Sequence, residues 1–433
     1  MSPTYKKTLG FSLLFMGLGH IVVLKQYAKG ILFALCEIVF IVFLPRTASA
    51  LAGLVTLGTP KPELPITERD NSIFMLMDGI MTVAIIGIFI AAYFISVKSA
   101  LNTYKDFKRG GKLPSSRSAL GDISGKAFPI AALSPTVLLV LFFVMVPLLF
   151  SACVAFTNYS APDHTVPNNT VDWVGFSNFQ SLFGGDALWT GALGRVVLWT
   201  LIWAVLATAT CYFGGMLMAV VMNGVNKKIS PLFRAVMILP YAVPSVLTLL
   251  VWSNLLNGAF GVVNRTLMSI GLISTAIPWL SDPLLAKFVV VLINLWAGFP
   301  YFMLLVMGSM TSISPEVYEA ARIDGASSPQ VTRWVTFPLV TYQTMPLIIM
   351  SFAHNINNFG AIFFLTGGQP AVADSTITAA KGTDIIVSWI YNLTINLYKY
   401  NYASVLAVMV FVVLAPFAIF NFMRTKSYKE GDV

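Results

Sequence analysis

The sequence predicts an all-α, polytopic membrane protein with about eight transmembrane helices. Hydrophobic residues make up 57% of the 433 residues and charged residues only 10%, and a soluble protein needs a far larger charged share. Long apolar segments, such as residues 128–156 and 236–256, contain no charged residue. Roughly 20 helical residues cross a hydrocarbon core of about 30 Å, so each of these segments is long enough to span a membrane.

Eight apolar runs have the length of a membrane helix. They cover residues 30–57, 73–97, 128–156, 188–223, 232–258, 285–310, 337–366 and 400–423. Two of them, 188–223 and 337–366, exceed a straight span, which predicts a tilt, a kink or an extension beyond the bilayer. Residues 8–24 follow two lysines as in a signal peptide, but no small-residue cleavage site comes after them. We interpret residues 8–24 as an interfacial or re-entrant helix.

The positive charge of the chain, formally +9, predicts its orientation. Basic residues concentrate in segment 98–127, in turn 224–231 and in the C-terminal tail, whereas loop 157–187 has no lysine or arginine. These basic residues are Lys98, Lys105, Lys108, Arg109, Lys112, Arg117, Lys126, Lys227, Lys228, Arg424, Lys426 and Lys429. With eight spans they all fall on one side, and the positive-inside rule makes that side cytoplasmic. Both termini and loop 311–336 are therefore predicted to be cytoplasmic, and the charge requires no nucleic-acid partner.

The sequence contains no recognisable catalytic set, metal site or cofactor motif. Cys36, Cys153 and Cys211 lie in apolar stretches without metal-ligand spacing. The three histidines, His20, His164 and His354, are scattered over a helix, a loop and a span. Gly110-Gly111-Lys112 lacks the spacing of a nucleotide-binding loop. We therefore predict that this chain is not an enzyme and binds no metal or cofactor itself.

A small helix-turn-helix is predicted in the cytoplasmic segment 314–338. Ser314 and Pro315 begin a helix, with Glu316 in its first turn, and Gly325 ends it or bends it. Residues 327–329 begin a second short helix, and Pro338 marks the entry to the next span. An amphipathic loop lying on the bilayer surface is the alternative interpretation.

The same segment resembles the EAA loop of binding-protein-dependent importer permeases. That signature reads E-A-A, three positions, G, nine positions and then I-x-L-P. The residues of this chain that match it in register are Glu319, Ala320, Ala321, Gly325 and Pro338. Val335 and Phe337 stand in place of the Ile and Leu of the signature. The resemblance implies that the matching residues, together with Asp324, couple the chain to a cytoplasmic ATPase. A local cap or salt bridge is the alternative role of Asp324. The resemblance also implies a six-helix type I permease core over residues 128–433. Residues 1–127 would then hold the N-terminal helix, two peripheral spans and a basic segment.

Three neighbouring spans each present a polar and aromatic face at helical spacing. The positions are Tyr241 and Ser245 in the fifth span, Asn294, Gly298 and Tyr301 in the sixth, and Ser351, His354, Asn355 and Asn358 in the seventh. Pro240 and Pro244 are expected to loosen the fifth helix. Uncharged amides, hydroxyls and rings suit a neutral polyhydroxyl ligand, because amides donate and accept and rings cover the apolar faces of sugars. Hydrogen bonding between helices is the alternative role of these side chains.

These stretches resemble the sugar-lining segments of the larger permease subunits of maltose and maltodextrin importers. The similarity runs from about residue 128 to the C-terminus and is carried by residues 240–245, 294–301 and 351–359. It implies that the nine positions contact a maltose- or maltodextrin-type oligosaccharide. Ala297 replaces a larger aliphatic residue of that family and His354 replaces a phenylalanine. A roomier, more polar pocket follows, and a different oligosaccharide is the alternative substrate.

The resemblance also implies the partners and the location of the chain. They are a second, smaller permease in a heterodimer, two ATPase subunits that hold ATP and Mg²⁺, an extracytoplasmic sugar-binding protein, and the lipid of a bacterial cytoplasmic membrane. Loop 157–187 is too short for the folded insertion found in Gram-negative members of the family. We therefore expect a binding protein that is tethered to the membrane as a lipoprotein.

Two alternatives belong to other classes, an ion- or proton-coupled secondary transporter and an assembly scaffold. A secondary transporter requires buried carboxylates or a broken-helix cation site. Glu37 and Asp78 are the obvious acids within spans, and both lie in the first two. An assembly scaffold would not require three aligned polar faces.

Overall fold

The computed structural model describes residues 4–110, 128–226 and 228–423. These residues form helices and no β-strand beyond isolated bridges, which confirms the all-α prediction. Residues 111–127, Lys227 and the tail from Arg424 lie outside the described residues, and several of the basic residues listed above lie there. The chain divides into two compact units, Met1–Gly175 and Phe176–Val433. The boundary between residues 127 and 128 stays a prediction about the permease core.

The described residues of the first unit form six α-helices joined by short 3₁₀- and π-helical turns. The α-helices are α1 (Tyr5–Leu14), α2 (Tyr27–Val42), α3 (Leu44–Thr56), α4 (Ser72–Gly110), α5 (Phe128–Val140) and α6 (Val146–Val154). The π-helical turns are Gly19–Val23 and Leu141–Met145, and the 3₁₀ turn is Ile66–Glu68. Helix α2 meets α3 at a bend of 54°. Pro45, in the first turn of α3, causes this bend because it supplies no N–H to the preceding turn.

Residues 8–24 form two helical pieces instead of the single helix that we predicted. Gly17 has φ +84°, and a Cβ there would lie 2.2 Å from the backbone oxygen of Gly30. The chain therefore turns sharply between α1 and the π-helical turn. Helix α1 packs against α4, and Ser12 and His20 are buried. The membrane role of this segment stays a prediction.

Thirteen α-helices lie in the part of the second unit that the structure describes. They are α7 (Ser177–Gln180), α8 (Ala187–Gly224), α9 (Ser230–Ala242), α10 (Ser245–Leu255), α11 (Val262–Ser269), α12 (Pro283–Thr311), α13 (Pro315–Ile323), α14 (Ser328–Val331), α15 (Phe337–Ile356), α16 (Phe359–Phe363), α17 (Ser375–Thr378), α18 (Ile386–Ile395) and α19 (Tyr400–Met423). Two π-helical turns, Ser181–Gly185 and Thr332–Thr336, precede α8 and α15. In the described part of the chain, six helical segments can cross a membrane, and two bent pairs bring the number to eight. The prediction of about eight spans agrees with this number.

The second bent pair, α9 and α10, breaks the fifth predicted span by 84°. Val243 between them has extended backbone, with φ −83° and ψ 136°. Pro244 explains this conformation, because a proline disfavours helical geometry at the residue before it and has no N–H of its own. The two prolines were predicted to loosen this helix, and the structure shows that it is fully broken at Pro244.

Helices α8 and α12 cross at backbone contact distance. A Cβ added to Gly215 of α8 would lie 2.6 Å from the backbone nitrogen of Met303 and 2.6 Å from the Cβ of Phe302. Glycine permits this approach, because any side chain would push the two backbones apart. Two buried clusters lie along this helix pair, one around Trp203 and the other around Met216. The second cluster includes Phe302 and Met303, so the crossing is part of the core of this unit.

We expect Gly215→Ala to destabilise the purified permease by about 1–3 kcal/mol, because the added methyl overpacks a helix crossing that has no space for it. Thermal unfolding in detergent, followed by the loss of a monodisperse peak, measures the effect. Gly194→Ala is the matched control on the same helix, because a Cβ at Gly194 meets nothing within 4 Å. Equal unfolding temperatures for the two variants would contradict the close crossing.

Candidate functional site

Asn294 and Gly298 of α12 face Cys211 of α8. The Nδ2 group of Asn294 donates to the Cys211 Sγ at 3.3 Å, and that thiol donates to the backbone oxygen of Asn294 at 3.4 Å. A Cβ at Gly298 would lie 2.7 Å from the same sulfur. In this conformation both positions therefore serve the packing of α12 on α8, the alternative that the sequence left open.

Tyr301 and Tyr241 bring two aromatic rings together from α12 and the last turn of α9. Their ring centroids are 6.1 Å apart, with 39% of Tyr301 and 53% of Tyr241 exposed. Ser245 begins α10 on the far side of the 84° break and is also exposed. The prediction that Tyr241 and Ser245 share one helical face is wrong, because Pro244 ends α9 between them. The break instead leaves one aromatic and one hydroxyl side chain beside a bend within the span.

The seventh-span residues separate into an accessible pair and a bonded pair. His354 is exposed and Ser351 is half-buried on α15. Asn355 is 6% exposed, and its Nδ2 group donates to the Thr208 hydroxyl at 3.0 Å. Asn358 donates to Asn355 Oδ1 at 3.3 Å. Asn355 and Asn358 thus have hydrogen-bond partners within the protein.

Asn358 lies beyond the end of α15, so the prediction of one continuous helical face from Ser351 to Asn358 is wrong. Helix α15 ends at Ile356, and Asn358 is the N-cap of α16, accepting from the N–H of Ala361 at 3.3 Å. An asparagine at this position satisfies a backbone donor that the start of α16 would otherwise leave unpaired. The predicted run 337–366 is thereby divided into a long helix and a short one.

Helix α8 supplies partners that the sequence analysis missed. Besides Thr208 and Cys211, the indole of Trp203 donates to the backbone oxygen of Asn355 at 3.0 Å. The hydroxyl of Tyr212 lies 2.9 Å from that of Thr341 on α15. Thr208, Cys211 and Tyr212 are spaced i, i+3 and i+4, so the criterion applied to the later spans would have identified this face too. The fourth span, α8, therefore supports the candidate site through hydrogen bonds to α12 and α15.

A double-mutant cycle tests the bond that holds Asn355 to Thr208. We expect Thr208→Val and Asn355→Ala each to destabilise the protein and the pair to be coupled by about 0.5–2 kcal/mol, the range measured for hydrogen bonds between membrane helices. Unfolding of the four proteins in denaturant measures the coupling. Strictly additive effects would show that the two side chains do not interact.

Segment 314–338 folds as the sequence predicts. Helix α13 begins at Pro315 after Ser314, and Gly325 (φ +79°) turns the chain after its end. Ser327 and Gln330 form a capping box at the start of α14. Pro338 lies in the first turn of α15, so the helix-turn-helix and the entry to the next span are confirmed as structure.

The predicted coupling residues lie on the accessible side of this helix pair. Glu319, Ala320, Asp324 and Gly325 are exposed, and Ala321 is half-buried. The carboxylate of Asp324 forms no ion pair within the described residues. Large apolar side chains are exposed beside them, with Ile323 86% and Trp334 70% accessible. An open groove of about 600 Å³ adjoins α14 and is lined by Val220, Ser328, Pro329, Thr332, Arg333 and Phe337.

Residues 366–399, which we call the cap, fold onto the other end of α8. Arg195 forms a bidentate ion pair with Asp374, with nitrogen–oxygen distances of 2.9 and 3.0 Å. Its guanidinium also donates to the backbone oxygen of Ala380 at 3.2 Å. The indole of Trp199 donates to the oxygen of Thr383 at 3.1 Å. Planar, charge-assisted pairs of this kind are strong and directional, so the cap is held firmly on α8.

The cap has its own buried anchor, Asp384, which is 1% exposed. It accepts from the Lys381 N–H at 2.8 Å, the Ser388 hydroxyl at 2.7 Å and the Asn392 amide at 3.1 Å. Burial raises the pKa of the Asp384 carboxyl, and these donors oppose that shift. The sequence analysis made no prediction for this stretch.

Within the described residues, no group of three or more His, Cys, Asp or Glu side chains could hold a metal ion.

Comparison with known proteins identifies the family to which this architecture belongs. Residues 212–426 match the family model described as the binding-protein-dependent transport system inner membrane component. The galactooligosaccharides transport system permease protein GanP of Bacillus subtilis is 36% identical over 407 residues, covering 94% of each chain. The maltodextrin transport system permease protein MalC of Streptococcus pneumoniae is 32% identical over 426 residues, covering 96% of this chain and 95% of the relative. The chain belongs to this permease family.

More distant relatives agree with the assignment. The maltose/maltodextrin permease protein MalF of Vibrio vulnificus is 34% identical over 266 residues, covering 61% of this chain and 50% of that protein. The crystal structure of a bacterial alginate ABC transporter in complex with an alginate pentasaccharide-bound periplasmic protein superposes with a TM-score of 0.57 at 23% identity, over 71% of this chain and 98% of that chain. At this identity the superposition shows the fold.

Family membership confirms several predictions at once. The permease is a multi-pass membrane protein of an importer that works with a substrate-binding protein, and it is a transport subunit instead of an enzyme. The ion-coupled secondary transporter and the assembly scaffold are excluded. The roles of individual side chains stay predictions.

Proposed function

We propose that this permease carries neutral oligosaccharides of the maltodextrin type inward across the cytoplasmic membrane by alternating access. The observation that carries the proposal is the 84° break at Pro244, which leaves Tyr241 beside Tyr301 and Ser245 exposed at the start of α10, within the membrane part of the fold. Transporters bind substrate at such discontinuous helices. Aromatic rings and hydroxyls without charge suit a sugar. Maltodextrin permeases among the relatives support this substrate class.

The nine predicted sugar contacts divide by the contacts that they make within the protein. In this proposal the sugar is contacted directly by the exposed or half-buried side chains of Tyr241, Ser245, Tyr301, Ser351 and His354. Asn294, Asn355 and Asn358 hold the helices that carry them through the bonds to α8 and α16 described above, and Gly298 does so by packing against Cys211. These four reach the sugar only in a conformation that exchanges their internal contacts for contacts with the sugar.

Galactooligosaccharides are the second candidate substrate. The relative that is 36% identical over 94% of each chain transports sugars of this class by its name. Ala297 and His354 favour a substrate different from that of the maltose permeases, because they make the sugar pocket roomier and more polar. Both candidates are neutral oligosaccharides and use the same path.

Partners complete the proposed transporter. A second permease forms a heterodimer with this one, and two ATPase subunits with bound ATP and Mg²⁺ receive the α13–α14 helix pair. The exposed Ala320, the αL turn at Gly325 and the groove beside α14 support this docking. The coupling side and both termini face the cytoplasm, as the loop charges favour. The cap then lies on the extracytoplasmic side, where the binding protein delivers sugar.

Uptake of labelled sugars by proteoliposomes that contain the native partners tests the substrate. At saturating binding protein we expect uptake of maltotriose or of a galactotriose and, for either sugar, a rate about 3- to 10-fold lower in Tyr301→Leu, since one ring contact is lost. Tyr27→Leu is the control, because it removes an exposed ring in the first unit, away from the proposed sugar contacts. Uptake of neither sugar would contradict the substrate class, and equal rates in Tyr301→Leu and wild type would contradict the site.

The turn at Gly325 tests the coupling role. Gly325→Val forces a β-branched residue into φ +79°, at a cost of about 1–3 kcal/mol, and the helix pair should lose its docking geometry. We expect sugar-stimulated ATP hydrolysis by the assembled transporter to fall at least 10-fold. Gly325→Asn is the matched control, since asparagine tolerates the left-handed region. Full stimulation in Gly325→Val would contradict the coupling role.

A further inference from the structure

Three aromatic rings meet in the part of the chain that follows Asn358, the last of the nine predicted sugar positions. Phe359 and Phe363, one turn apart on α16, stack with centroids 4.6 Å apart and an interplanar angle of 20°. Tyr391 of the cap helix α18 lies 5.2 Å from Phe359 and 4.8 Å from Phe363. We call these three side chains the aromatic triad. None of the three is among the nine positions predicted from the sequence to contact the sugar.

The triad lies on the accessible side of α16. The opposite side of the helix is in the core, with Ile362 fully buried and Ala361 7% exposed. Phe359, Phe363 and Tyr391 are each only half-buried. The Tyr391 hydroxyl makes no hydrogen bond to any residue that the structure describes. A cluster that served packing alone would be expected to bury its rings and to pair this hydroxyl.

The contacts of α16 place the triad next to the proposed path. Its N-cap, Asn358, is one of the nine predicted sugar positions and is bonded to Asn355. Helix α16 packs against α10 and α12, in a buried cluster that includes Leu249 and Ile293. The triad therefore lies further along the same helices that carry Ser245 and Tyr301, beyond the end of α15.

The third ring is held rigidly. Tyr391 belongs to the cap, which the Arg195–Asp374 ion pair fastens to α8 and which Asp384 stabilises from within. Rings held in fixed positions lose little conformational entropy when a ligand stacks on them, which favours binding.

We infer that the aromatic triad is a second sugar subsite, which stacks a further glycosyl unit of an oligosaccharide whose first units lie at Tyr241 and Tyr301. The apolar face of a pyranose ring covers an aromatic face, and the free Tyr391 hydroxyl donates to or accepts from a sugar hydroxyl. The inference rests on the proposed function, since it requires an oligosaccharide in this path. The subsite therefore distinguishes oligosaccharides by the length of their chains.

Rates of uptake for a series of one linkage test the inference. Wild type, Phe363→Leu and Tyr391→Leu are reconstituted with the native partners and assayed at saturating binding protein with a disaccharide and a tetrasaccharide that the wild type transports. We expect each leucine variant to lower the ratio of tetrasaccharide to disaccharide rates about 3- to 10-fold, the loss of one ring contact. Phe40→Leu is the control, since Phe40 stacks on Phe89 at 3.9 Å in the first unit.

Tyr391→Phe keeps the ring and removes the hydroxyl, so it preserves the packing of the cap. We expect a smaller fall in the rate ratio than in Tyr391→Leu, with an unchanged unfolding temperature. A fall in both rates by the same factor, or no change in the ratio in any variant, would overturn the subsite while leaving the proposed function intact. If the wild type transported no oligosaccharide of any length, the proposed function would be overturned and the subsite with it.

Discussion

The close crossing of α8 and α12 is the constraint on which the second unit depends. At Gly215 the backbones meet without a side chain between them, and this approach brings Cys211 within reach of Asn294. In a membrane, apolar side chains gain little by leaving lipid for protein, so close packing and interhelical hydrogen bonds must supply the association energy. A glycine at the crossing permits both. The same helix bonds to Asn355 through Thr208 and to the cap through Arg195, so α15 and the cap are both fixed to α8.

Two helix breaks give the path its polar surface. Pro244 separates α9 from α10, and the turn at Asn357 separates α15 from α16. A break leaves backbone groups without helical partners, and in lipid such groups need other partners. Asn358 provides one by capping α16. Breaks of this kind are tolerated where protein or a water-filled cavity surrounds them, which is the environment that a translocated sugar requires.

Opposite ends of the unit serve different partners in the proposed transporter. At one end, α13 and α14 present small and apolar side chains around a glycine turn, with few side-chain bonds to the rest of the chain. At the other end, the cap is fastened by an ion pair, buried amides and the Asp384 network. The loosely bonded end suits a helix pair that docks into a moving ATPase. The firmly bonded end suits a surface that receives sugar and holds aromatic rings in place.

The sequence alone determined the class, the number of spans, the helix pair at 314–338 and the family, because each depends on local pattern. Apolar length decides whether a segment spans, and Pro315, Gly325 and Ser327 decide where short helices begin and end. The sequence alone could not decide which polar side chains are already hydrogen-bonded within the protein. Asn294 and Asn355 show the same helical spacing as Tyr301 and His354, yet they bond to α8. The cap and the aromatic triad also depended on tertiary structure, because Arg195 and Asp374, or Phe359 and Tyr391, meet only once distant helices pack. Spacing within one helix specifies a face, but the partner of that face is specified by the packing of the whole chain.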